Sequence, residues 1–392
     1  MNTHPNPSLK TYPLKTYPIK TYTVGGAVRD QLLGLTPHEI DTLVIGSTPE
    51  EMLSLGFIPV GKHFPVFLHP TTHAEFALAR TERKVGPGHQ GFEFFADPSV
   101  TVEQDLSRRD LTINAIAQDE FGNLIDPYGG QLDLNNKILR HVSPAFTEDP
   151  LRVFRVARFM AQLADFNFKI APETLELMKK ISQSGELNSL SDERIWEETL
   201  KALKFKRADL YFDTLIQTGS IDRCFENFDA QTLRDFVSPL VGETGLKVEP
   251  KAREGASPEI NPEIKLALFL FNPEIKIKIK IPGEYLDLIL LTRKFYKNLC
   301  EFKSPAELVD LLENLDFFRR SERFYKICSI CEKLSLIQNH FLDLNLIRNS
   351  CELLKNLDPQ KIIQDLKNPS GPEIQKAIHQ ERVNLVCGFF GE

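Results

Sequence analysis

Long apolar runs are missing from this sequence of 392 residues. The longest, at 266–271 and 288–291, are far shorter than the roughly 20 residues that a membrane-spanning helix needs. The N-terminal segment also has no signal-peptide pattern. We therefore expect no membrane segment and a cytoplasmic protein.

Cysteine is scarce, with six residues that all lie between Cys224 and Cys387. In a chain without a secretory signal, such cysteines are better explained as small buried apolar residues than as a disulfide framework. Cys328 and Cys331 have the spacing of half a zinc site, but no second close pair completes it. A core role is the favoured interpretation.

An excess of positive charge is also absent, because 47 Lys and Arg face 54 Asp and Glu, for a net charge of -7. Any nucleic-acid binding must therefore use local basic patches. Each of these patches could equally be a solvated face. The candidates are residues 80–84, 108–109 and 201–207, and the series Arg152, Arg155 and Arg158.

Changes of pattern along the chain predict its domain organisation. Lys-Thr-Tyr recurs at positions 10, 15 and 20 with Pro13 and Pro18 between, which predicts an extended or mobile arm over 1–20. Short strands then alternate with helices, and from residue 143 helix follows helix. The expected parts are a head at 21–142, a helical neck and body at 143–240, a Gly- and Pro-rich linker at 241–262, and a helical body and tail at 263–392.

Local patterns place the elements of the head. Strands are predicted at 39–45, 57–60, 66–69 and 75–79, and helices at 49–55 and 104–117. Near the C-terminal part, residues 274–281 alternate Lys with Ile, which indicates either an edge strand or low-complexity sequence.

The most informative stretch is 25–30, Gly-Gly-Ala-Val-Arg-Asp. A glycine pair that opens a helix offers backbone N–H groups to a phosphate, and Arg29 lies one turn on. Glu39 and Asp41 follow, and on a strand they share one face, where two carboxylates could hold a divalent metal. A phosphate site beside a metal pair indicates nucleotide chemistry.

A second polar stretch covers 105–115. On a helix, Asp105, Arg109 and Asp110 would stand about one turn apart and Asn114 would continue that side, as a polar edge for a ribose and a triphosphate. A surface ion-pair ladder explains the pattern equally well.

A third stretch, 148–158, repeats polar groups every three residues: Asp149, Arg152, Arg155 and Arg158. These groups form a slanting stripe on a helix, and an acid next to an arginine complements the hydrogen-bonding edge of a base. The alternative is a solvated ion-pair face.

Together these motifs resemble a family, the class II tRNA nucleotidyltransferases or CCA-adding enzymes of the polymerase β superfamily. The similarity runs from Val24 to about Leu215. Residues 61–70 and 79–84 are similar to the CCA-adding branch rather than to the related bacterial poly(A) polymerases.

The resemblance implies an α+β fold, with a polymerase-β-like head of mixed sheet and flanking helices followed by an all-helical neck, body and tail. It implies a metal-dependent enzyme that adds C, C and A to the 3′ end of tRNA without a template. The partners would be tRNA, CTP and ATP, and the cofactor Mg²⁺ with Mn²⁺ as a substitute. The alternatives are an enzyme that adds only A or only CC, a poly(A) polymerase, and a non-catalytic tRNA-binding relative.

The resemblance also implies roles for individual residues. Glu39 and Asp41 would be the catalytic metal ligands, and Glu75 either a third carboxylate or a plain surface residue. Residues 85–97 would be a flexible loop used in switching from C to A. The nucleotide-binding residues would be Gly26 and Arg29 for the triphosphate, Arg109 for the sugar-phosphate region, Asp149 and Arg152 for the base, and Arg155 and Arg158 for the rest of the pocket.

Two departures from the family pattern carry predictions. Glu39 stands where the family has Asp, and because Mg²⁺ tolerates displaced ligands poorly, we expect a lowered or metal-shifted activity. Some relatives carry a phosphohydrolase module with a His-Asp dyad, but none of the nine histidines here precedes Asp. Residues 264–271, where such a dyad would be sought, lack both residue types, so we expect no phosphohydrolase activity.

Overall fold

The computed structural model describes residues 19–37, 39–60, 66–84, 92–95, 97–234, 261–364, 366 and 369–390. The chain divides into two compact units, Met1–Leu190 and Ser191–Glu392. Most of the predicted arm at 1–20 and of the predicted linker at 241–262 lies outside the described residues, although Lys20 begins the first strand.

A mixed sheet of seven strands forms the first unit's head, in the order β3-β4-β5-β2-β1-β8-β9. β2 and β5 are parallel and the other neighbouring pairs are antiparallel. A separate hairpin joins β6 to β7. The strands are β1 (Lys20–Val24), β2 (Asp41–Ile45), β3 (Ile58–Val60), β4 (Val66–Leu68), β5 (Glu75–Leu78), β6 (Thr81–Lys84), β7 (Phe92–Phe95), β8 (Ala117–Gln118) and β9 (Leu124–Ile125).

The sheet is buried on both faces because side chains alternate along its central strands. Leu43 of β2 packs with Leu106 in one apolar cluster, whereas Val44 packs with Phe76 in another. Asp41 precedes Leu43 by two residues and therefore shares its face. Asp41 therefore lies at one end of the sheet face that packs against Leu106.

Helices and short strands complete the first unit. Thr48 and Thr101 form capping boxes at the starts of the second and third helices, which explains where both begin. The elements are α1 (Gly26–Leu32), α2 (Pro49–Ser54), α3 (Val102–Ser107), α4 (Gly130–Asn136), α5 (Leu151–Gln162) and α6 (Pro172–Ser184), with a parallel pair of short strands, β10 (Ile138–Leu139) and β11 (Lys169–Ile170).

The predicted helix over 104–117 is wrong. α3 ends at Ser107, residues 112–114 form one 3-10 turn, and Ala117 already belongs to β8. The Asp110 carboxylate accepts the N–H of Leu111 at 2.8 Å, and Leu111 is extended and bridges to His141. The Asp110 side chain thereby satisfies a backbone N–H group that a helix would otherwise have satisfied, which favours a turn at this point.

Two other boundaries differ from the predictions. β2 begins at Asp41, so Glu39 precedes the strand instead of lying on it. Within the predicted flexible loop at 85–97, residues 92–95 form β7, while 85–91 and 96 lie outside the described residues.

The described residues of the second unit are almost entirely helical, as predicted. The helices are α7 (Asp192–Leu203), α8 (Asp209–Thr218), α9 (Pro262–Phe269), α10 (Gly283–Glu301), α11 (Pro305–Asn314), α12 (Ser321–Gln338), α13 (Leu344–Lys355), α14 (Pro359–Gln364) and α15 (Gly371–Val386). Of the two interpretations of 274–281, the strand holds for β13 (Lys276–Ile277), which pairs with β12 (Phe225–Glu226).

None of the helices in the described ranges is both long and apolar enough to cross a membrane. Four of the six cysteines are buried, as expected of core residues, while Cys300 is partly exposed and Cys387 is exposed. Burial raises the pKa of the Cys328 and Cys351 thiols to about 12, so both are unreactive in the folded chain.

Candidate functional site

Strand register brings the glycine-rich turn next to the acidic pair. Val24, the last residue of β1, lies directly opposite Asp41, the first residue of β2. The chain then turns at Gly25 into α1, so this turn and the start of β2 meet at one end of the sheet. The two motifs predicted from sequence to cooperate are therefore adjacent.

Gly25 is favoured by its backbone conformation, and it lies close to Arg109. Its φ of +73° is one that L side chains rarely adopt, and a Cβ there would lie 2.7 Å from Nη1 of Arg109. The sequence analysis selected Gly26, where a Cβ would meet nothing closer than Nη2 of Arg29 at 3.6 Å. The signal for Gly25 was the glycine pair itself, which did not reveal which member the fold needs.

Asp41 lies in the electrostatic field of two arginines. Asp41 reaches solvent, yet partial burial raises its pKa above the ordinary value. The positive charge of Arg109 opposes this rise, the negative charge of Glu39 adds to it, and the positive charge of Arg155 opposes it more weakly. A carboxylate whose negative form is disfavoured by a neighbouring carboxylate suits a divalent cation, which relieves the repulsion. Two carboxylates are a donor set that a divalent cation prefers, and the metal-ligand role of Glu39 and Asp41 stays a prediction.

Glu75 lies one strand away on the same face. β2 and β5 pair Thr42 with Phe76, so continuing this register by one residue sets Glu75 beside Asp41. Glu75 is exposed, and within the described ranges these three acids do not form a cluster tight enough to share one ion. The third-ligand role of Glu75 stays a prediction.

The described residues do contain one cluster of three potential metal ligands, in the second unit. It comprises Asp310 and Glu313 of α11 and His379 of α15. Its groups already bind one another and Arg382: His379 Nδ1 lies 3.0 Å and Arg382 Nη1 2.7 Å from Glu313. These contacts join the two helices through ion pairs.

Asp105 holds the two arginines that follow α3. It is fully buried, with Nη2 of Arg108 at 2.5 Å and Nη2 of Arg109 at 3.4 Å. Burial alone would raise the pKa of Asp105, but the two guanidinium groups hold it below the ordinary value. Arg109 Nε is buried without a hydrogen-bond partner among the described residues, so this side chain retains donor capacity.

Asp110 is the centre of a second buried network. Its Oδ2 accepts from Nε of Arg155 at 2.7 Å, and its Oδ1 accepts from the amide of Asn114 at 3.0 Å. Burial works against ionisation, but Arg155, Asn114 and Arg152 keep the pKa of Asp110 well below its ordinary value. Asp110 and Asn114, predicted to lie along one polar helix edge, do contact each other, but through a turn and not a helix.

Arg29 lies inside the protein. It is 3% exposed, donates to Asp30 at 2.8 Å, and donates through Nη1 to the side-chain oxygen of Asn114 at 2.8 Å. Arg29 thus contacts the site from inside the protein through Asn114, and its predicted contact with a triphosphate stays a prediction.

Two of the three arginines of the stripe on α5 are buried. Arg152 is 8% and Arg158 is 9% exposed, so the solvated-face interpretation is wrong for both. Arg152 donates to the carbonyl groups of Ala145 and Arg108. Arg158 donates to Gln162 at 2.7 Å.

Asp149 stands at the start of α5, half-buried. Its carboxylate accepts the Leu151 N–H at 3.1 Å. Asp149, the acid predicted to contact the base, thus lies just before the N-terminus of the helix that carries the arginines.

This arrangement combines carboxylates with arginines, the residue types that suit a metal and a polyanion. A carboxylate pair lies at the end of a mixed sheet, beside Arg109 and a buried arginine network from α5. Such a site, on an α+β head followed by helices, defines a nucleotidyltransferase.

Comparison with known proteins identifies the family. Residues 21–140 match the family model of the poly A polymerase head domain, and residues 167–232 match that of the probable RNA- and SrmB-binding site of polymerase A. The "Multifunctional CCA protein" of Acinetobacter baumannii strain SDF is 41% identical, over 93% of this chain and 96% of that protein. The protein of the same name from Vibrio parahaemolyticus is also 41% identical, over 93% and 97%.

Solved structures share the fold. A CCA-adding enzyme in apo form II superposes with a TM-score of 0.65 at 23% identity, covering 94% of this chain and 88% of that one. The Thermotoga maritima CCA-adding enzyme, complexed with tRNA, gives 0.64 at 20% identity, covering 95% and 88%. The chain belongs to the class II CCA-adding enzymes, the tRNA nucleotidyltransferases of the polymerase β superfamily. Membership of this family carries dependence on a divalent metal.

Proposed function

We infer that this protein adds C, C and A to the 3′ end of tRNA, using CTP and ATP and releasing pyrophosphate. The observation that carries the proposal is the pairing of Val24 with Asp41, which brings the Gly25 turn and Arg109 to the acidic end of β2 in a chain so similar to proteins named for CCA. Structural neighbours include CCA-adding enzymes solved with tRNA and with CTP. Such a substrate implies a cytoplasmic site of action.

Glu39 and Asp41 would hold the metal, which we propose to be Mg²⁺. When bound, it supplies charge neutralisation at the α-phosphate and eases ionisation of the attacking 3′-hydroxyl. Glutamate at position 39 is one methylene longer than the family's aspartate, and it precedes β2. We therefore expect Mg²⁺-supported activity to be lower than with Asp, and Mn²⁺ to restore part of it.

The arginines would position the nucleotide. Arg109 has unused donor capacity and lies against the Gly25 turn beside Asp41, so we assign it to the sugar-phosphate region. Gly26 opens the adjacent helix and would offer its backbone to the triphosphate. Arg29 supports this surface from below through Asn114.

Base selection would fall to Asp149 and Arg152 at the start of α5. A carboxylate and a guanidinium present acceptors and a fork of donors, and a wrong base leaves some of them unpaired, which is costly in a partly buried site. Arg155 and Arg158 would complete the nucleotide pocket.

The test is nucleotide addition to two tRNA substrates, one without the CCA end and one without only the final A. Each nucleotide is supplied separately, with Mg²⁺ and then with Mn²⁺. CTP should extend only the first tRNA and ATP only the second, while Asp41→Ala abolishes both additions. Addition of only A or only CC would identify a partial-specificity enzyme, and tRNA binding without any incorporation would identify a non-catalytic relative.

The Glu39 variants test the metal assignment. Glu39→Asp should raise the Mg²⁺-supported rate, and Glu39→Gln should lower it by removing a charge. Glu120→Gln, which removes an exposed acidic charge between β8 and β9, is the matched control. A rate that Glu39→Gln leaves unchanged would remove Glu39 from the metal site.

A further inference from the structure

Three guanidinium groups converge on one aromatic ring. Phe159 of α5 is 4% exposed, and the Cζ atoms of Arg158, Arg29 and Arg155 lie 4.1, 5.2 and 5.8 Å from its ring centre. Arg155 and Arg158 come from α5 itself, whereas Arg29 comes from α1, far away in the sequence. The ring is therefore a point where two separate segments meet.

Such a convergence of cations needs compensation. Guanidinium groups repel one another in a poorly solvated space, but the negative face of an aromatic ring attracts each of them. Two carboxylates complete the balance, since Arg29 pairs with Asp30 and Arg155 with Asp110, both at 2.7 Å. Phe159 thus does more than fill apolar volume.

Asn114 provides a second link between the same two arginines. Its side-chain oxygen accepts from Arg29 at 2.8 Å, and its side-chain nitrogen donates to Asp110 at 3.0 Å. Asp110 in turn accepts from Arg155 at 2.7 Å. An amide can accept and donate at once, which neither a carboxylate nor an apolar side chain can do.

These contacts close into a circuit of five residues: Arg29, Asn114, Asp110, Arg155 and Phe159. One side of the circuit holds the Gly25 turn and α1, next to Asp41. The other side holds α5, which follows Asp149 and carries Arg152 in its first turn. The circuit therefore joins the proposed metal end of the site to its proposed base-selecting helix.

We propose that Phe159 and Asn114 are positioning residues of the nucleotide site, acting together through this circuit to fix the arginines of α5 relative to the catalytic strand. The proposal rests on the proposed function. Both residues are buried, at 4% and 6% exposed, and act through the arginines that they contact. Their loss should weaken nucleotide use more than tRNA use.

The first test weakens the ring's charge distribution with little change in its shape. Phe159 is replaced by 3,4,5-trifluorophenylalanine, whose face is less negative. The KM for CTP and for ATP should rise about 5-fold, with the KM for tRNA and the melting temperature nearly unchanged. The matched control is the same replacement at Phe154, which is fully buried on α5 and has no cation over its ring among the described contacts.

An unchanged nucleotide KM at position 159 would overturn the proposal, as would an equal rise for the Phe154 control. If the wild-type protein extends no tRNA, it is the proposed function that fails. CTP binding by calorimetry then measures the same contrast between positions 159 and 154, so the two failures are distinguishable.

The second test asks whether Asn114 and Phe159 act as one unit. Asn114→Ala and Phe159→Leu should each lower kcat/KM for nucleotides by about 10-fold. Because either change opens the same circuit, the double variant should lose little more than a single one. Multiplication of the two losses, to about 100-fold, would show independent residues and overturn the proposal.

Discussion

Replacement of Gly25 by alanine should have two distinct effects: a loss of folding stability and a displacement of the Arg109 side chain. The φ of +73° at Gly25, with ψ of -129°, is a combination that glycine adopts readily and alanine does not. Holding alanine there costs on the order of 1–3 kcal/mol of folding stability. The melting temperature should fall by several degrees.

The new methyl group would also displace Arg109. A Cβ 2.7 Å from its Nη1 atom forces the guanidinium to retreat by roughly 1 Å before ordinary contact is reached. The end of a long side chain moves at little cost in stability, but such a displacement in an active site can lower the rate by about 10²-fold. The loss of activity should therefore exceed what partial unfolding explains.

Gly34 is the matched control, because its φ is +75° and a Cβ there would meet nothing within 4 Å. Gly34→Ala should show a similar backbone cost with full activity per folded molecule. The measurements are thermal unfolding and kcat/KM for CTP and ATP on truncated tRNA. If Gly25→Ala, once folded, is as active as Gly34→Ala, the proposed role of the Gly25 and Arg109 contact is refuted.

Three further predictions follow from charge and burial. The positive charge of Arg109 lowers the raised pKa of Asp41. At low metal concentration, Arg109→Gln should therefore move the acid limb of the pH-rate profile to higher pH, while Arg109→Lys should leave it in place. An unmoved limb in Arg109→Gln would contradict the electrostatic effect of Arg109 on Asp41. Asp105 and Asp110 have lowered pKa values in the folded protein. Their contribution to folding stability is therefore complete above about pH 4, the pKa of an unfolded aspartate, and is lost as the pH falls further. Thermal unfolding at a series of acidic pH values should show this loss, and Asp105→Asn should make the melting temperature depend less on pH. The purified protein should release no phosphate from 2′,3′-cyclic substrates with or without added metal. Phosphate release that His379→Ala abolishes would contradict this and would show that the cluster of His379 with Asp310 and Glu313 is a catalytic metal site.

The local chemistry of the site was readable from sequence because its motifs are contiguous. The spacing of Glu39 and Asp41 and the arginine series of α5 predict metal and polyanion binding without knowledge of the fold, and both roles stay predictions. The end of α3 was not readable in this way. The helical spacing over 104–117 was satisfied by residues that instead make a turn, because Asp110 binds the Leu111 N–H.

By itself the sequence determined the class of protein, the residue types of the site and the helical character of the second half. Only the tertiary structure decided which groups meet: Val24 against Asp41, Gly25 under Arg109, and Arg29, Arg155 and Arg158 around Phe159. The physical reason is that periodicity and propensity report which face of an element is apolar, whereas contacts between distant segments depend on strand register and on where buried charges find partners.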